Sequence, residues 1–233
     1  MSDQELEETR CLWDNLADGW LIQVGDEGDR NRIQNSDPVL WQFAGSVRGS
    51  RVMDAGCGTG YLSNKLYQQG ANVIGVDFAP RMLEIARTRY PDIDFRLDDC
   101  SQLETVDDDY FDLLISNYML MDTPDLDGTV NAFHRVLKLK GTATLIFSHP
   151  CFVFDTSESS ADGQHHHFHW DFPYLEARKC IDQPWAHFTS KFIWFHRPLS
   201  DYFKAFKTEG FVVVDFEEPR IQADKYHLVT DPS

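Results

Sequence analysis

The feature that most constrains the fold is a regular alternation of apolar runs and amphipathic stretches between residues 51 and 148. "RVMDA" reads as a short strand, and "YLSNKLYQQG" as a helix stopped by Gly70. "NVIGVD" is a second buried strand. "PRMLEIARTRY" is a helix with Pro80 at its start, where the missing N–H costs nothing. "IDFRL" is a third strand. "FDLLIS" is a fourth, a nearly continuous apolar run of the kind buried on both faces. "LDGTVNAFHRVLKLKG" reads as an amphipathic helix ending at Gly141, and "TATLIFS" as a fifth strand. Strand–helix alternation at this spacing predicts a parallel sheet with helices on both faces. Ligands of such sheets bind at the carboxyl ends of the strands. The loops at 54–60, 77–80, 98–100, 116–120 and 148–152 are therefore where chemistry is expected.

The flanks differ from this core. The first 49 residues read as helical and irregular, anchored by Trp13, Trp20 and Trp41. Residues 149–195 break the alternation with "DTSESSADGQHHHFHW" and many aromatics. This segment is expected to be an insertion that, with the N-terminal region, caps the ligand end of the sheet. "PLSDYFKAFKTEGFVVVDFEEP" restores the pattern as a helix, Gly210 and a strand, and "KYHLVT" is a candidate last strand. The 233 residues suffice for one good core. The expectation is one domain over 1–233: a helical cap at 1–49, a ligand-binding core at 50–148, a substrate cap at 149–195, and a final helix and strands at 196–233.

Charge narrows the partners. Lys plus Arg number 21 against 38 Asp plus Glu, a net charge of −17. A field of that sign repels a polyphosphate backbone, so no nucleic-acid partner is expected. No apolar run is long enough to span a bilayer, and "MSDQELEETR" is too acidic for a signal peptide. No membrane partner and a cytoplasmic location follow as expectations. The five cysteines are widely spaced with no CxxC, which reads as free thiols in a reducing compartment. His165, His167 and His169 would share one face of a strand. They lack the fixed spacing of a metal site and are read as a solvated or substrate-lining stretch, with no metal expected.

The loop "DAGCGTGY" carries the first chemical signal. A dinucleotide fingerprint starting at Gly56 needs its third glycine at position 61, which is Tyr61. A phosphate-binding loop needs Lys and Ser or Thr after Gly60, and neither follows. What remains is a strand, Asp54, and glycines at 56, 58 and 60 with no nearby lysine. That suits a ligand that approaches the backbone and lacks phosphates. Asp77 ends the second strand, where a carboxylate can accept both hydroxyls of a ribose. After the third strand, Asp99 can accept from an adenine amino group while the Cys100 N–H donates to a ring nitrogen. Asp98 and Asp99 also suit a solvated turn or a cap.

In this order and spacing, "VMDAGCGTGYLS", "VIGVDFAPRMLEIAR", "FRLDDCSQL", "FDLLISNYML" and "RVLKLKGTATLIFS" resemble the class I S-adenosylmethionine-dependent methyltransferases, in particular their small-molecule branch. The resemblance is strong over roughly residues 50–150. It implies an α/β, Rossmann-like, doubly wound and mostly parallel seven-stranded sheet, with S-adenosyl-L-methionine as cofactor and S-adenosyl-L-homocysteine as product. It implies that Asp54, Gly56, Gly58 and Gly60 surround the methionyl part of the cofactor. Asp77 then takes the ribose, Phe78 flanks the adenine, Asp99 and Cys100 bind it, and Asn117 and Tyr118 lie beside the sulfonium. The chain departs from the family at "LKLKGTA", where one glycine, Gly141, stands in place of two.

Methyl transfer from a sulfonium is an in-line displacement with a neutral leaving group, so alignment supplies much of the catalysis. A base is needed only where the nucleophile carries a proton. No Pro-Pro follows "SN" at 116–117, unlike the nucleic-acid amino methyltransferases, which leaves a small, aromatic or heteroaromatic metabolite as the expected substrate. Transfer to N, O, S or C all stay open. A non-catalytic cofactor-binding module, or a peptide or carrier-bound substrate, are the alternatives. His149 directly follows the fifth strand and is the candidate base, or alternatively a partner of a neighbouring loop. Tyr118 is a second catalytic candidate, for orienting substrate or for packing. Trp170, Trp194, His196 and Arg197 are candidates for substrate binding, the last two alternatively forming a helix cap. Arg30 and Arg32 either meet the cofactor carboxylate or stay at the surface. The oligomeric expectation is a monomer or homodimer.

Overall fold

The computed structural model describes residues 3–151, 157–160, 166–168 and 172–219. Its centre is a five-stranded parallel sheet of β1 (Arg51–Ala55), β2 (Asn72–Asp77), β3 (Asp94–Leu97), β4 (Phe111–Asn117) and β5 (Leu137–Ile146). The spatial order is β3-β2-β1-β4-β5. The chain therefore winds outward from β1 to β3, then returns to lay β4 on the other side of β1. Residue 54 pairs with Gly75 on one side and Ile115 on the other. That reversal opens a crevice at the carboxyl ends of β1 and β4, the place where open sheets of this kind bind ligands.

Period-two alternation sends successive side chains to opposite faces, and both faces are covered. Val52, Leu113 and Ile115 pack with Leu62, Leu66 and Leu83 from α3 (Tyr61–Gln68) and α4 (Pro80–Arg89). Met53 and Leu114 face the other way, onto Val130 and Phe133 of α5 (Leu126–Val136) and Phe206 of α6 (Leu199–Thr208). Phe111, Phe133, Leu66 and Leu114 are fully buried. Each such side chain contributes roughly 1.5–3 kcal/mol of hydrophobic stabilisation. Asp125 caps α5 by accepting the Gly128 N–H at 3.0 Å.

The N-terminal region is helical, as expected: α1 (Asp3–Val24), a π turn at Arg32–Ser36, and α2 (Asp37–Ala44). Leu16 of α1 packs with Phe188 and Phe192, which belong to the 149–195 segment. That segment contains two small antiparallel pairs, β6 (Ser157–Ser159) with β7 (His166–Phe168), and β8 (Arg178–Asp182) with β9 (Phe192–His196).

Two sequence expectations change. The helix after β4 ends at Val136 rather than Gly141, because Leu137 already pairs with Phe111 in the sheet. Lys140 then takes φ +68°, and four residues of β5 loop out before regular pairing resumes at Thr142. The sheet also holds five strands among the described residues rather than seven. "FVVVDF" was expected as a strand, yet 211–219 has no regular structure, and Val212 and Val214 are 81% and 88% exposed. A strand needs ladder partners for its N–H and C=O groups, and this stretch pairs with none of the described strands. "KYHLVT" lies outside the described residues.

Candidate active site

A cavity of about 100 Å³, partly open to solvent, lies at the carboxyl ends of the strands. It collects Asp54, Gly56, Gly58, Asp77, Phe78, Asp99, Cys100, Asn117 and Tyr118, which come from the loops after β1, β2, β3 and β4. These were separate motifs in the sequence. Gly60 of the same loop sits at the start of α3 instead of on the cavity wall.

The glycine loop has its own structural reasons for being glycine. Gly56 has φ +72°, and a Cβ there would lie 2.5 Å from Met119 Cγ. Gly60 has φ +85°, and its Cβ would meet Tyr90 Cδ2 at 2.9 Å and Phe95 Cζ at 3.0 Å. Left-handed backbone and close neighbours both exclude a side chain. The Gly56 and Cys57 amides donate to the Val76 carbonyl at 2.8 and 3.0 Å, which binds the loop to β2. The Cys57 and Cys100 thiols are buried and pushed up by that burial, so neither is a thiolate nucleophile.

Three acids hold defined positions. Asp54 is buried and accepts the Ser63 hydroxyl at 2.6 Å. Burial raises its carboxyl to about 7, against the Ser63 bond and with help from Asp77. Asp77 is buried and accepts the N–H of Gly58 on Oδ2 at 2.8 Å and of Ala79 on Oδ1 at 2.9 Å. Burial raises it to about 6, with those backbone bonds opposing. The carboxylate keeps acceptor capacity for a hydroxyl. Asp98 and Asp99 divide the two roles that the sequence left open. Asp98 accepts the amide and hydroxyl of Thr105, closing the turn. Asp99 accepts the Ser101 amide at 2.9 Å and hydroxyl at 2.7 Å while lining the cavity.

The loop after β4 forms another wall. Asn117 Oδ1 is buried with no hydrogen-bond partner. Tyr118 has φ +60°, an uncommon conformation for a non-glycine residue and one that recurs at functional sites. Its hydroxyl accepts from Asn31 Nδ2 at 2.7 Å. Arg32 is buried beside it, bonded to Asp29 at 2.6 Å and lying 5.2 Å from the Trp20 ring and 5.4 Å from the Tyr118 ring. Trp13 and Trp20 of α1 meet edge to face at 5.3 Å and also line the cavity. Arg30 is exposed and does not line it.

Other residues singled out in the sequence are not on the cavity wall. His149 accepts the Cys151 N–H on Nδ1 at 3.1 Å, which leaves the hydrogen on Nε2, 3.2 Å from Glu218. Trp194 donates to Asp182 at 2.9 Å. His196 is buried, with Nε2 donating to the Tyr174 carbonyl at 2.8 Å. Arg197 donates to the carbonyls of Thr123 at 2.7 Å and Pro124 at 3.0 Å, pinning the loop that follows Tyr118. Trp170, His165 and His169 lie outside the described residues. Sequence reasoning missed Asp122, a half-buried acid on the cavity wall. It is one of 38 acids, and only its neighbours in space single it out.

A family model described as a methyltransferase domain matches residues 46–194. The chain belongs to this family of S-adenosyl-L-methionine-dependent methyltransferases. It is 35% identical over 106 residues to a ubiquinone biosynthesis O-methyltransferase of Bordetella avium, covering 44% of each chain. It is 28% identical over 151 residues to a demethylmenaquinone methyltransferase of Renibacterium salmoninarum, covering 64% of this chain and 63% of that one. The chain thus spans about half the length of the curated relatives it matches. Among solved structures, an S-adenosylmethionine-dependent methyltransferase from Mesorhizobium loti superposes with a TM-score of 0.69 at 23% identity, over 82% of this chain and 87% of that one. This likeness shows the shared fold. No helix among the described residues is long and apolar enough to cross a membrane.

Proposed function

We propose that this chain transfers a methyl group from S-adenosyl-L-methionine to a small, ring-bearing, quinone-type molecule, and that the cavity at the head of the sheet is the active site. The observation that carries this reading is the convergence of Asp54, Asp77, Asp99 and the unpartnered Asn117 Oδ1 around one glycine loop. The wall is rich in acceptors, which suits a ligand with a ribose diol, an adenine amino group, an ammonium and a positively charged sulfur. Asp77 has lone pairs left for the diol. Asp99 and the Cys100 amide would hold the adenine, against Phe78. Asn117 Oδ1 would accept from the ammonium, and Arg32 would meet the carboxylate.

When bound, the cofactor supplies an electrophilic methyl group on a cationic sulfur. The protein's part is then to align the acceptor and exclude water. Trp13, Trp20 and Tyr118 offer flat apolar walls for a ring. The named relatives act in ubiquinone biosynthesis and on demethylmenaquinone, which favours a ring of that kind here. We give His149 no part in the transfer, because Cys151 and Glu218 occupy its ring. Trp194, His196 and Arg197 act in this reading as supports of the wall. We also read the chain as a single domain. In it, α1 and residues 172–196 form the cap.

The test is transfer of label from methyl-labelled S-adenosylmethionine to a panel of catechols, hydroquinones and naphthoquinols. A labelled, extractable ring product is expected. Label transferred only to a peptide or carrier-bound acceptor would replace the quinone-type reading.

A further inference from the structure

Four carboxylates line the cavity, and three of them are already bonded to the protein. Asp54 holds Ser63, Asp77 holds two backbone amides, and Asp99 holds Ser101. Asp122 accepts no hydrogen bond from the described residues, although it is half-buried on the same wall. A carboxylate drawn from water without a donor is unfavourable, and native proteins keep such groups mainly where they act on a ligand.

The loop around it is held firmly. The Asp122 amide donates to the Met119 carbonyl at 2.8 Å, closing a turn directly after the strained Tyr118. Arg197 fastens the next residues through the Thr123 and Pro124 carbonyls. Trp13 also lines the cavity, and its Nε1 is buried with no acceptor. Aromatic walls from Trp13, Trp20 and Tyr118 together with a free carboxylate suit a flat ring that bears an O–H group.

Resting on the function proposed above, we propose that Asp122 is the catalytic residue that takes the proton from a ring hydroxyl of the acceptor, so that the methylated atom is oxygen. The O–H bond breaks and its proton passes to an Asp122 oxygen. The acceptor oxygen's electron pair forms the new O–C bond, and the S–C electron pair stays on sulfur. The charged surroundings suit this task. Burial pushes the Asp122 carboxyl well above its ordinary value, the positive charge of Arg197 opposes this, and the negative charge of Asp77 adds to it. Asp54, Asp99 and Arg32 are the other charged groups on the cavity wall. A carboxylate made more basic in this way is a better proton acceptor near neutral pH.

The experiment compares wild type with Asp122→Asn on two acceptor probes at about pH 8, catechol and 4-nitrocatechol, with adenosylhomocysteine binding measured in parallel. Catechol keeps its proton at that pH, whereas 4-nitrocatechol is already ionised and needs no base. Asp122→Asn should lower kcat/KM by roughly a hundredfold or more on catechol and by under about fivefold on 4-nitrocatechol. Both proteins should bind adenosylhomocysteine equally, which also shows that the variant is folded. Equal losses on the two probes, or no loss on catechol, overturn the assignment. So does a wild type that binds adenosylhomocysteine yet methylates neither probe, an outcome that leaves the cofactor site standing. A wild type that does not bind adenosylhomocysteine overturns the underlying function itself.

Discussion

Asp77 Oδ2 accepts the backbone N–H of Gly58 at 2.8 Å, joining the acid that ends β2 to the glycine loop that follows β1. One carboxylate thereby shapes the loop and presents its remaining lone pairs to the cavity. In Asp77→Asn, an amide nitrogen must face the N–H of either Gly58 or Ala79, and one of the two bonds is lost. Adenosylhomocysteine affinity should fall about ten- to a hundredfold by calorimetry. The melting temperature should move by only a few degrees, because losing a bond of about 1 kcal/mol is offset by no longer burying a charge.

Asp54 makes stability depend on pH. Its folded-state carboxyl is raised to about 7 by burial, and Asp77 is raised to about 6. In the unfolded chain both ionise near pH 4. Between about pH 4 and 7 the folded state holds more protons than the unfolded one, so the contribution of these groups to stability declines as pH rises. Asp54→Asn removes the larger part of that decline. Urea denaturation should find the variant more stable relative to wild type at about pH 8 than at about pH 4, by on the order of 2 kcal/mol. An identical difference at the two pH values would show that Asp54 does not titrate in this way.

The same acids should make cofactor binding sensitive to ligand charge. S-adenosylmethionine carries a sulfonium, and adenosylhomocysteine does not. A cation favours the ionised forms of Asp54 and Asp77, so at low pH its binding must first release their protons. Its affinity should drop about threefold or more per pH unit from roughly pH 7 to 5, and more steeply than that of adenosylhomocysteine. Parallel pH profiles for the two ligands would mean that the acids do not sense the sulfur.

Gly60→Ala should destabilise the fold outright. The added Cβ needs space held by Tyr90, Phe95 and Ala86, at a φ of +85° that alanine rarely adopts. A loss of about 2 kcal/mol or more is expected in chemical denaturation. Gly58→Ala meets nothing closer than Trp20 at 3.6 Å, so it should cost less stability despite its own φ of +52°.

Much of the sheet was legible because its strands are continuous apolar runs between helices with clear ends. The boundary between α5 and β5 was not. Leu137 and Leu139 extend the apolar pattern of the helix, while the pairing of Leu137 with Phe111 decides the matter across the sheet. "FVVVDF" has strong strand propensity, but propensity supplies no ladder partner, and its valines stay exposed. The acids at strand ends were legible because topology alone brings strand ends together. Side-chain direction was not legible: His149 follows β5 as expected, yet its ring turns to Cys151 and Glu218. Asp122 gave no local signal either. It stands out only because Asp54, Asp77 and Asp99 are bonded and it is not.

The most direct measurement is isothermal calorimetry of the wild-type chain with adenosylhomocysteine and, separately, with NADH. The account predicts one-to-one binding of adenosylhomocysteine with a Kd of roughly micromolar order, no measurable binding of NADH, and a loss of adenosylhomocysteine affinity in Asp77→Asn. Binding of NADH without adenosylhomocysteine would contradict it.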